Sequence, residues 1–371
     1  MKTNKPVFRD AAAVLLTLAL LLAAGLYALL WPHPDFSDAE RRYLTEAPGV
    51  PSLVSWKTDQ EVEDYLSDRV PFRSVFVGTD AVLRTVLGER TQLDAWPVAD
   101  AILEQPVSGS PAVVSRRLEQ FEALAERLGV PWNIIVPETH GYLLRDRMNV
   151  LLRAQYQEEE KLFEPLKADS RFLDVFPPET DPAEVYYRTD HHWTLAGAYR
   201  AYLACCDAAQ LPALTLDDYS LTRFSGFFGT TQSRSGLPPL RGDTLVCAEP
   251  QGPVRLTLPE QDQTYDHLIF PERAETYDGY AVYLDGNHGM LEIINENAPG
   301  GTLLVYKDSF ANCLLPLLAA DYSRIVAVDV RYYTGTFSDA AAAAGPADRL
   351  LFLYSLDSLV NDTALARKAG H

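Results

Sequence analysis

The chain has 371 residues, 47% of them hydrophobic, enough to bury the core of one large domain, or of one large and one small. Its formal charge of −19 argues against nucleic acid as a partner, because neutralising phosphates takes clustered Lys and Arg. The acidic residues are spread along the chain rather than gathered in a tail, the pattern of a well-solvated surface.

The first thirty residues stand apart. Lys2, Lys5 and Arg9 precede an uncharged run from Ala11 to Trp31, followed by Pro32 and Pro34. A run of roughly 20 apolar residues can cross a bilayer as a helix and exceeds the apolar core of about 7–15 residues usual in a signal peptide. Positive charge ahead of it holds the N-terminus in the cytoplasm and puts residues 33–371 outside. Residues 1–32 are therefore expected to be an uncleaved single-pass anchor in the cell membrane, with cleavage after an Ala as the alternative. No Cys follows Leu22-Ala23-Ala24-Gly25, so lipoprotein processing is unsupported.

Residues 33–95 read as a helical neck. One helix opens in the acidic run Asp59–Leu66; Asp68-Arg69-Val70-Pro71-Phe72-Arg73 interrupts it. A second follows through Val75, Val82, Leu83 and Leu87 and closes at Gly88. Residues 96–371 read as the catalytic domain. Leu118, Phe121, Leu124, Ala125 and Leu128 keep helical spacing, with Gly129 as a natural stop.

Val130–Val136 is expected as a buried strand, 149–168 as a helix, Arg171–Phe176 as a further strand, and Thr194 as the N-cap of a helix to about Ala209. The stretch 211–300, rich in Gly, Pro, Thr and Tyr, reads as a β-rich insertion with strands at Val254–Leu258 and Tyr280–Leu284. Strands at Thr302–Tyr306, Ile325–Val330 and Leu350–Tyr354 then alternate with a helix at Phe310–Ala320. Alternation of this kind implies a mostly parallel sheet covered on both faces, a three-layer α/β/α domain. Cys205, Cys206, Cys247 and Cys313 match no metal-binding spacing and read as small buried side chains; neither metal nor cofactor is expected.

The most informative stretch is Asp190-His191-His192-Trp193. If the segment is extended, residues two apart share a side. Asp190 then fixes the tautomer of His192, leaves its other nitrogen free as a base and sends His191 to the opposite side. With an ordinary pKa that base is neutral above about 6.5. The nucleophile to complete such a triad is Ser309, in Lys307-Asp308-Ser309-Phe310, where a strand gives way to a helix.

Helix-terminal N–H groups there are ready donors for an oxyanion. Taken alone, the tetrapeptide is better explained by Asp308 or Ser309 capping the helix; the Asp-x-His elsewhere in the domain tips the reading to catalysis. Arg331, Asn287, His288, His140, His191 and Trp193 are candidates for binding substrate, with the plainer readings that Arg331 pairs with Asp329 and Trp193 packs in the core. A metal held by Asp190, His191 and His192 is the remaining alternative.

Tyr187-Arg188-Thr189-Asp190-His191-His192-Trp193-Thr194 resembles the signature of the DHHW family, itself similar to the alginate O-acetylation proteins with SGNH-hydrolase-like catalytic domains. Asp68–Arg73 resembles that family's DxxPFR segment, Tyr306–Asn312 its serine block, and Val328–Tyr333 the strand end beyond it. The resemblance implies an SGNH-like fold and a triad of Asp190, His192 and Ser309, in reverse chain order to ordinary SGNH hydrolases. It also implies O-acetylation of a cell-envelope polysaccharide, with acetyl supplied through a membrane-bound O-acyltransferase partner. The Gly and Asn of the usual SGNH oxyanion hole have no clear match; Asn287 and Asn312 are the candidates. A carbohydrate esterase and a non-catalytic glycan-binding scaffold are the alternative functions.

Overall fold

The computed structural model describes residues 5–37, 40, 42–47, 57–91, 95–239 and 241–369. Lys2 and the neck stretches 48–56 and 92–94 lie outside the described residues. The chain divides into two compact units, Met1–Leu93 with Ser233–Pro238, and Asp94–Gln232 with Pro239–His371.

In the first unit, helix α1 (Lys5–Leu30) contains a span, Asp10–Leu30, long and apolar enough to cross a membrane, with a mean hydropathy of 2.5. The side chains of that span are almost all exposed, whereas a core helix would bury one face. Helices α2 (Lys57–Asp68) and α3 (Arg73–Leu87) follow, and Gly88 ends α3 in the left-handed region at φ 72°. At the turn between them, Asp68 accepts hydrogen bonds from Arg42 Nη1 at 3.0 Å and from the Thr45 N–H at 2.9 Å, tying the DxxPFR-like stretch to the preceding segment.

The second unit is built on seven strands: β1 (Trp132–Ile135), β2 (Arg255–Leu258), β3 (Gln263–Tyr265), β4 (Met290–Ile294), β5 (Gly300–Lys307), β6 (Tyr322–Val328) and β7 (Arg349–Leu353). Their order across the sheet is β1-β7-β5-β6-β4-β2-β3. The first four run parallel; β4, β2 and β3 are added antiparallel, so five of the seven strands share one direction.

Side-chain alternation along β5 builds two cores. Leu303 and Val305 point to the face covered by α5 (Leu195–Ala209) and α6 (Ala311–Leu318). Leu304 and Tyr306 point to the face covered by α4 (Pro111–Leu128) and α7 (Phe337–Ala344). The result is a mixed α/β/α sandwich with a mostly parallel sheet.

Several local expectations need correction. Residues 149–168 form two helices, Val150–Gln157 and Glu159–Lys167, because Glu158 breaks the register between them. Arg171–Phe176 makes only one bridge, Phe172 beside Ile134, since Asp169 ties up Arg171 in a tight turn. Tyr280–Leu284 is no strand: Gly279–Val282 is a 3₁₀ turn. Within 211–300, β2, β3 and β4 extend the central sheet, and the ribbon Tyr219–Phe227 with Asp243–Pro250 lies outside it. Thr194 caps α5 and Gly129 ends α4 at φ 68°. Cys206, Cys247 and Cys313 are buried and Cys205 partly so; all four are free thiols.

Candidate active site

The parallel strands end together at Ile135, Lys307, Val328 and Leu353, the edge of an α/β sheet where ligands sit. Ser309 lies two residues beyond β5, half-buried between the buried Asp308 and Phe310. Asp190, His191 and His192 occupy the tip of a narrow loop. Its stem is closed by Tyr186 bridging Trp193 and by the Thr194 N–H donating to the Val185 carbonyl at 2.9 Å.

The loop brings its residues together by bending rather than by extension. Asp190 Oδ1 accepts from both the His192 N–H at 2.9 Å and the His192 ring Nδ1 at 2.6 Å. A carboxylate can only accept, so the ring proton sits on Nδ1 and Nε2 is left as an acceptor. Ser309 Oγ lies 2.8 Å from that Nε2 and donates its proton to it. The structure thus joins Asp190, His192 and Ser309 in one line of contacts.

The bend also overturns the opposite placement of His191: its ring lies against that of His192, centroids 3.9 Å apart. His191 Nδ1, 3.9 Å from both Glu104 and Asp190, makes no hydrogen bond among the described residues.

Electrostatics divide the roles. Burial opposes the Asp190 charge, yet His192 and His191, with hydrogen bonds from His192 and the Thr230 N–H, hold the carboxyl well below the usual range. Burial and the neighbouring His191 push His192 down to about 4 against the pull of Asp190, so its free nitrogen is unprotonated at neutral pH. Asp190, His191 and His192 also have ligand atoms within 4.8 Å of one another. Asp190 Oδ1 and His192 Nδ1 are, however, already bonded to each other, which counts against a metal there.

The contacts that hold this geometry come from afar and have no signal in the motif. Asp243, on the ribbon, accepts from Arg188 Nε at 2.9 Å and from the Thr189 N–H at 2.9 Å, which clamps the loop ahead of Asp190. The Thr230 N–H holds Asp190 Oδ2 at 2.7 Å. Tyr280 stacks flat on His192, centroids 3.8 Å and planes 6° apart.

The serine side also departs from expectation. The Phe310 N–H donates to Asp308 Oδ1, the Ala311 N–H to the Asp308 carbonyl and the Asn312 N–H to the Ser309 carbonyl, so these donors at the helix start are already spent. Among the described residues, the Ser309 N–H has no such partner. The two residues are thereby separated: Asp308 organises the turn, and Ser309 faces the imidazole.

Three candidate binding residues are taken up by contacts within the protein. Trp193 is wholly buried and its Nε1 donates to the Phe310 carbonyl at 2.9 Å, so it braces the serine turn and offers no stacking face. His288 is buried with both nitrogens engaged, Nδ1 by Gln261 and Nε2 by the Leu284 carbonyl. His140 is buried against the ring of Tyr186, and burial pushes its pKa down to about 4. Arg331 is half-buried in a two-pronged pair with Asp329, as its plainer reading had it. Asn287 is half-buried and accepts from Asn312 Nδ2 at 3.1 Å.

Residues 180–328 match the family model described as DHHW protein, which bears out the resemblance drawn from the Tyr187–Thr194 block. Among solved structures, a DHHW family protein from Eubacterium siraeum DSM 15702 is similar with a TM-score of 0.63 at 20% identity, over 74% of this chain and 94% of that one. Bacillus cereus PatB1 is similar with a TM-score of 0.59 at 18% identity, over 73% and 98%. The structure of PatB1 with a sulfonyl adduct gives 0.59 at 20% identity, over 73% and 96%. The comparison with curated proteins finds no match. These structural likenesses establish the fold shared with this chain.

Proposed function

We propose that this chain is a membrane-anchored, extracytoplasmic O-acyltransferase that moves an acyl group, acetyl by the family resemblance, onto a hydroxyl of a cell-envelope polysaccharide. The observation that carries the reading is the unbroken contact from Asp190 Oδ1 through His192 to Ser309 Oγ, at 2.6 and 2.8 Å. A half-exposed serine against a buried, neutral, carboxylate-oriented imidazole is an activated nucleophile. Residues 1–32 serve as anchor, 33–95 as neck and 96–371 as the catalytic part; the apolar span Asp10–Leu30 supports the first of these.

In the first half-reaction His192 Nε2 takes the Ser309 proton as Oγ bonds to the acyl carbon. The resulting oxyanion is met by the Ser309 N–H. The donor's leaving oxygen departs with the proton from His192, and an acyl-serine remains. In the second half-reaction His192 deprotonates the sugar hydroxyl, which attacks the acyl carbon; Ser309 Oγ leaves and recovers the proton. With water in place of the sugar the same steps give ester hydrolysis. The acyl donor is supplied by a membrane-bound O-acyltransferase partner.

The test uses the full chain in detergent with p-nitrophenyl acetate and with a sulfonyl fluoride, a reagent for activated serines suggested by the adduct in the PatB1 structure. Ser309→Ala should lower turnover by at least about a thousandfold and abolish labelling of the Ser309 peptide. Near-wild-type turnover in that variant would end the reading, and failure of the wild type to label would favour a glycan-binding scaffold.

A further inference from the structure

Helix α3 of the neck turns its apolar side chains outward. Phe72, Phe76, Val82, Leu83, Val86 and Leu87 fall on one side of the helix, within an arc of roughly 140° at 100° per residue. All six are exposed, from 43% at Val82 to 79% at Val86. The packed side is the opposite one, where Gly78 and Ala81 are buried. There the segment Ser233–Pro238 of the same unit runs alongside, with the Gly236 carbonyl oxygen 3.6 Å from where a Gly78 Cβ would stand. A continuous apolar stripe of this length on a surface helix marks a contact with something else.

The stripe carries no charge, and Arg73, Asp80 and Arg84 keep to its flank, Arg84 paired with Asp80 at 2.8 Å. Its polar member, Thr79, returns its hydroxyl to the Val75 carbonyl at 2.7 Å. Thr17 in α1 does the same toward the Ala13 carbonyl at 3.0 Å. In hydrocarbon, where no water is on offer, a hydroxyl must be satisfied by its own helix in this way.

The anchor tells what lies against the stripe. At 1.5 Å per residue the span Asp10–Leu30 is ~30 Å long, the thickness of a bilayer's hydrocarbon core. Leu30 then stands at the edge from which the neck emerges, where Tyr27 and Trp31 stack with centroids 5.6 Å apart, an aromatic pair suited to the membrane interface. Helix α1 is exposed from Asp10 to Ala23, and only then is it covered: Ala28 is buried and Ala24 and Gly25 are half-buried. Helix α2 comes up against α1, so the neck meets its anchor at the level of the headgroups rather than on a stalk above them. Helix α3 follows α2 after a short turn in the same unit, and Arg73 at its start pairs with Glu40 at 2.9 Å.

We propose that α3 is an interfacial helix, lying in the plane of the membrane beside α1 with its Phe72–Leu87 stripe in the lipid of the outer leaflet. The inference rests on the membrane-anchored part of the proposed function and adds a second lipid contact to it. Helix α1 holds the chain on the membrane, and α3 fixes the tilt and height of the neck.

The test is tryptophan quenching in the full chain, reconstituted into vesicles of phosphatidylcholine and phosphatidylglycerol, with the phosphatidylcholine plain or brominated on its acyl chains. Phe76→Trp and Val86→Trp each add a reporter to the stripe, and Leu151→Trp adds one at an exposed apolar position of the other unit. The emission gained at 76 and 86 should fall by about half or more in brominated vesicles, as for a ring ~5–10 Å into the headgroup boundary, while that gained at 151 stays unchanged. Turnover of p-nitrophenyl acetate within about twofold of wild type shows that each variant is folded.

Unquenched emission at 76 and 86 overturns the proposal. So does equal quenching at 151, the mark of indiscriminate adsorption. Blue-shifted but unquenched emission at the stripe, with chemical cross-linking between chains, gives the face to a second copy and overturns it as well. Native Trp31 separates this reading from the one beneath it, through the difference in emission between wild type and Trp31→Phe. Quenched Trp31 beside an unquenched stripe sinks the interfacial helix alone, whereas unquenched Trp31 sinks the anchor and the helix with it.

Discussion

The two halves of the candidate site are assembled in different ways. Asp190 and His192 come from one bent loop, two residues apart, and the carboxylate holds both the backbone N–H and the ring of the residue it orients. Ser309 comes from the end of β5 and owes its place to the sheet: the Asp308 N–H donates to the Leu353 carbonyl at 3.1 Å, and the Ser355 N–H to Asp308 Oδ2 at 2.8 Å. One half is local and the other topological. Damage to the first should therefore be chemical and specific, whereas damage to the second should also cost stability.

The sharpest break is Asp190→Asn. The carboxamide can present N–H where the imidazole offers N–H, favouring the wrong tautomer and leaving Nε2 protonated toward Ser309. A kcat loss of about 10³–10⁴-fold is expected with the fold intact by circular dichroism. A loss below about tenfold would mean that the loop does not act as a chemical unit.

Next comes Gly229→Ala. A Cβ at this position would stand 2.2 Å from the Asp190 Cβ and 2.2 Å from its Oδ2, an overlap that displaces the carboxylate. Misplacing a catalytic group by about 1 Å costs on the order of a hundredfold, the loss expected in kcat. Turnover at the wild-type rate would show that Asp190 tolerates movement.

These two substitutions also mark what could be read in advance. The Asp190–His192 pair was legible because its members are neighbours in the chain, and Ser309 because a strand-to-helix junction is a place where functional groups gather. Gly229, Thr230, Asp243 and Tyr280 were not, because each reaches the loop from tens of residues away and none has a distinctive local pattern. The helix-start donors are hidden from the sequence for a related reason. The tetrapeptide allows Asp308 or Ser309 as the cap, and nothing in it tells that Asp308 consumes the N–H groups offered to an oxyanion. Likewise the α/β alternation was legible from strand and helix periods, whereas β2, β3 and β4 looked like an insertion because antiparallel additions carry no crossover signature.

A milder probe is pH. The base works when unprotonated, so kcat/KM of the free enzyme should rise as pH climbs through the His192 pKa. Burial and His191 lower that pKa to about 4, and the acid limb should fall well below the 6.5 of an ordinary imidazole. His191→Gln removes a positive neighbour, so the limb should move to higher pH; a shift the other way, or none, would disconnect the two rings.

Stability follows the same sign. The folded state holds His192 neutral below the pH at which the unfolded chain protonates it. The stability linked to His192 is therefore fully present above about 6.5 and is lost as pH falls toward 4. Urea midpoints across that window should decline more steeply in wild type than in His192→Gln.

The smallest effect should come from the residue that joins the two halves. Trp193 follows His192 directly, is wholly buried, and donates to the carbonyl of Phe310, which follows Ser309 directly. Trp193→Phe keeps an aromatic ring but leaves that carbonyl without its donor and opens a small cavity. A destabilisation of about 2–4 kcal/mol is expected from the two effects together. The loss in kcat should be modest, about tenfold, because Asp190 still orients His192 and only the serine turn relaxes. The same substitution in the Asp190→Asn background should cost the same stability but much less rate, since an unoriented base gains little from a well-placed serine. If the rate losses simply multiplied, the indole would be holding the core together without aligning the two regions.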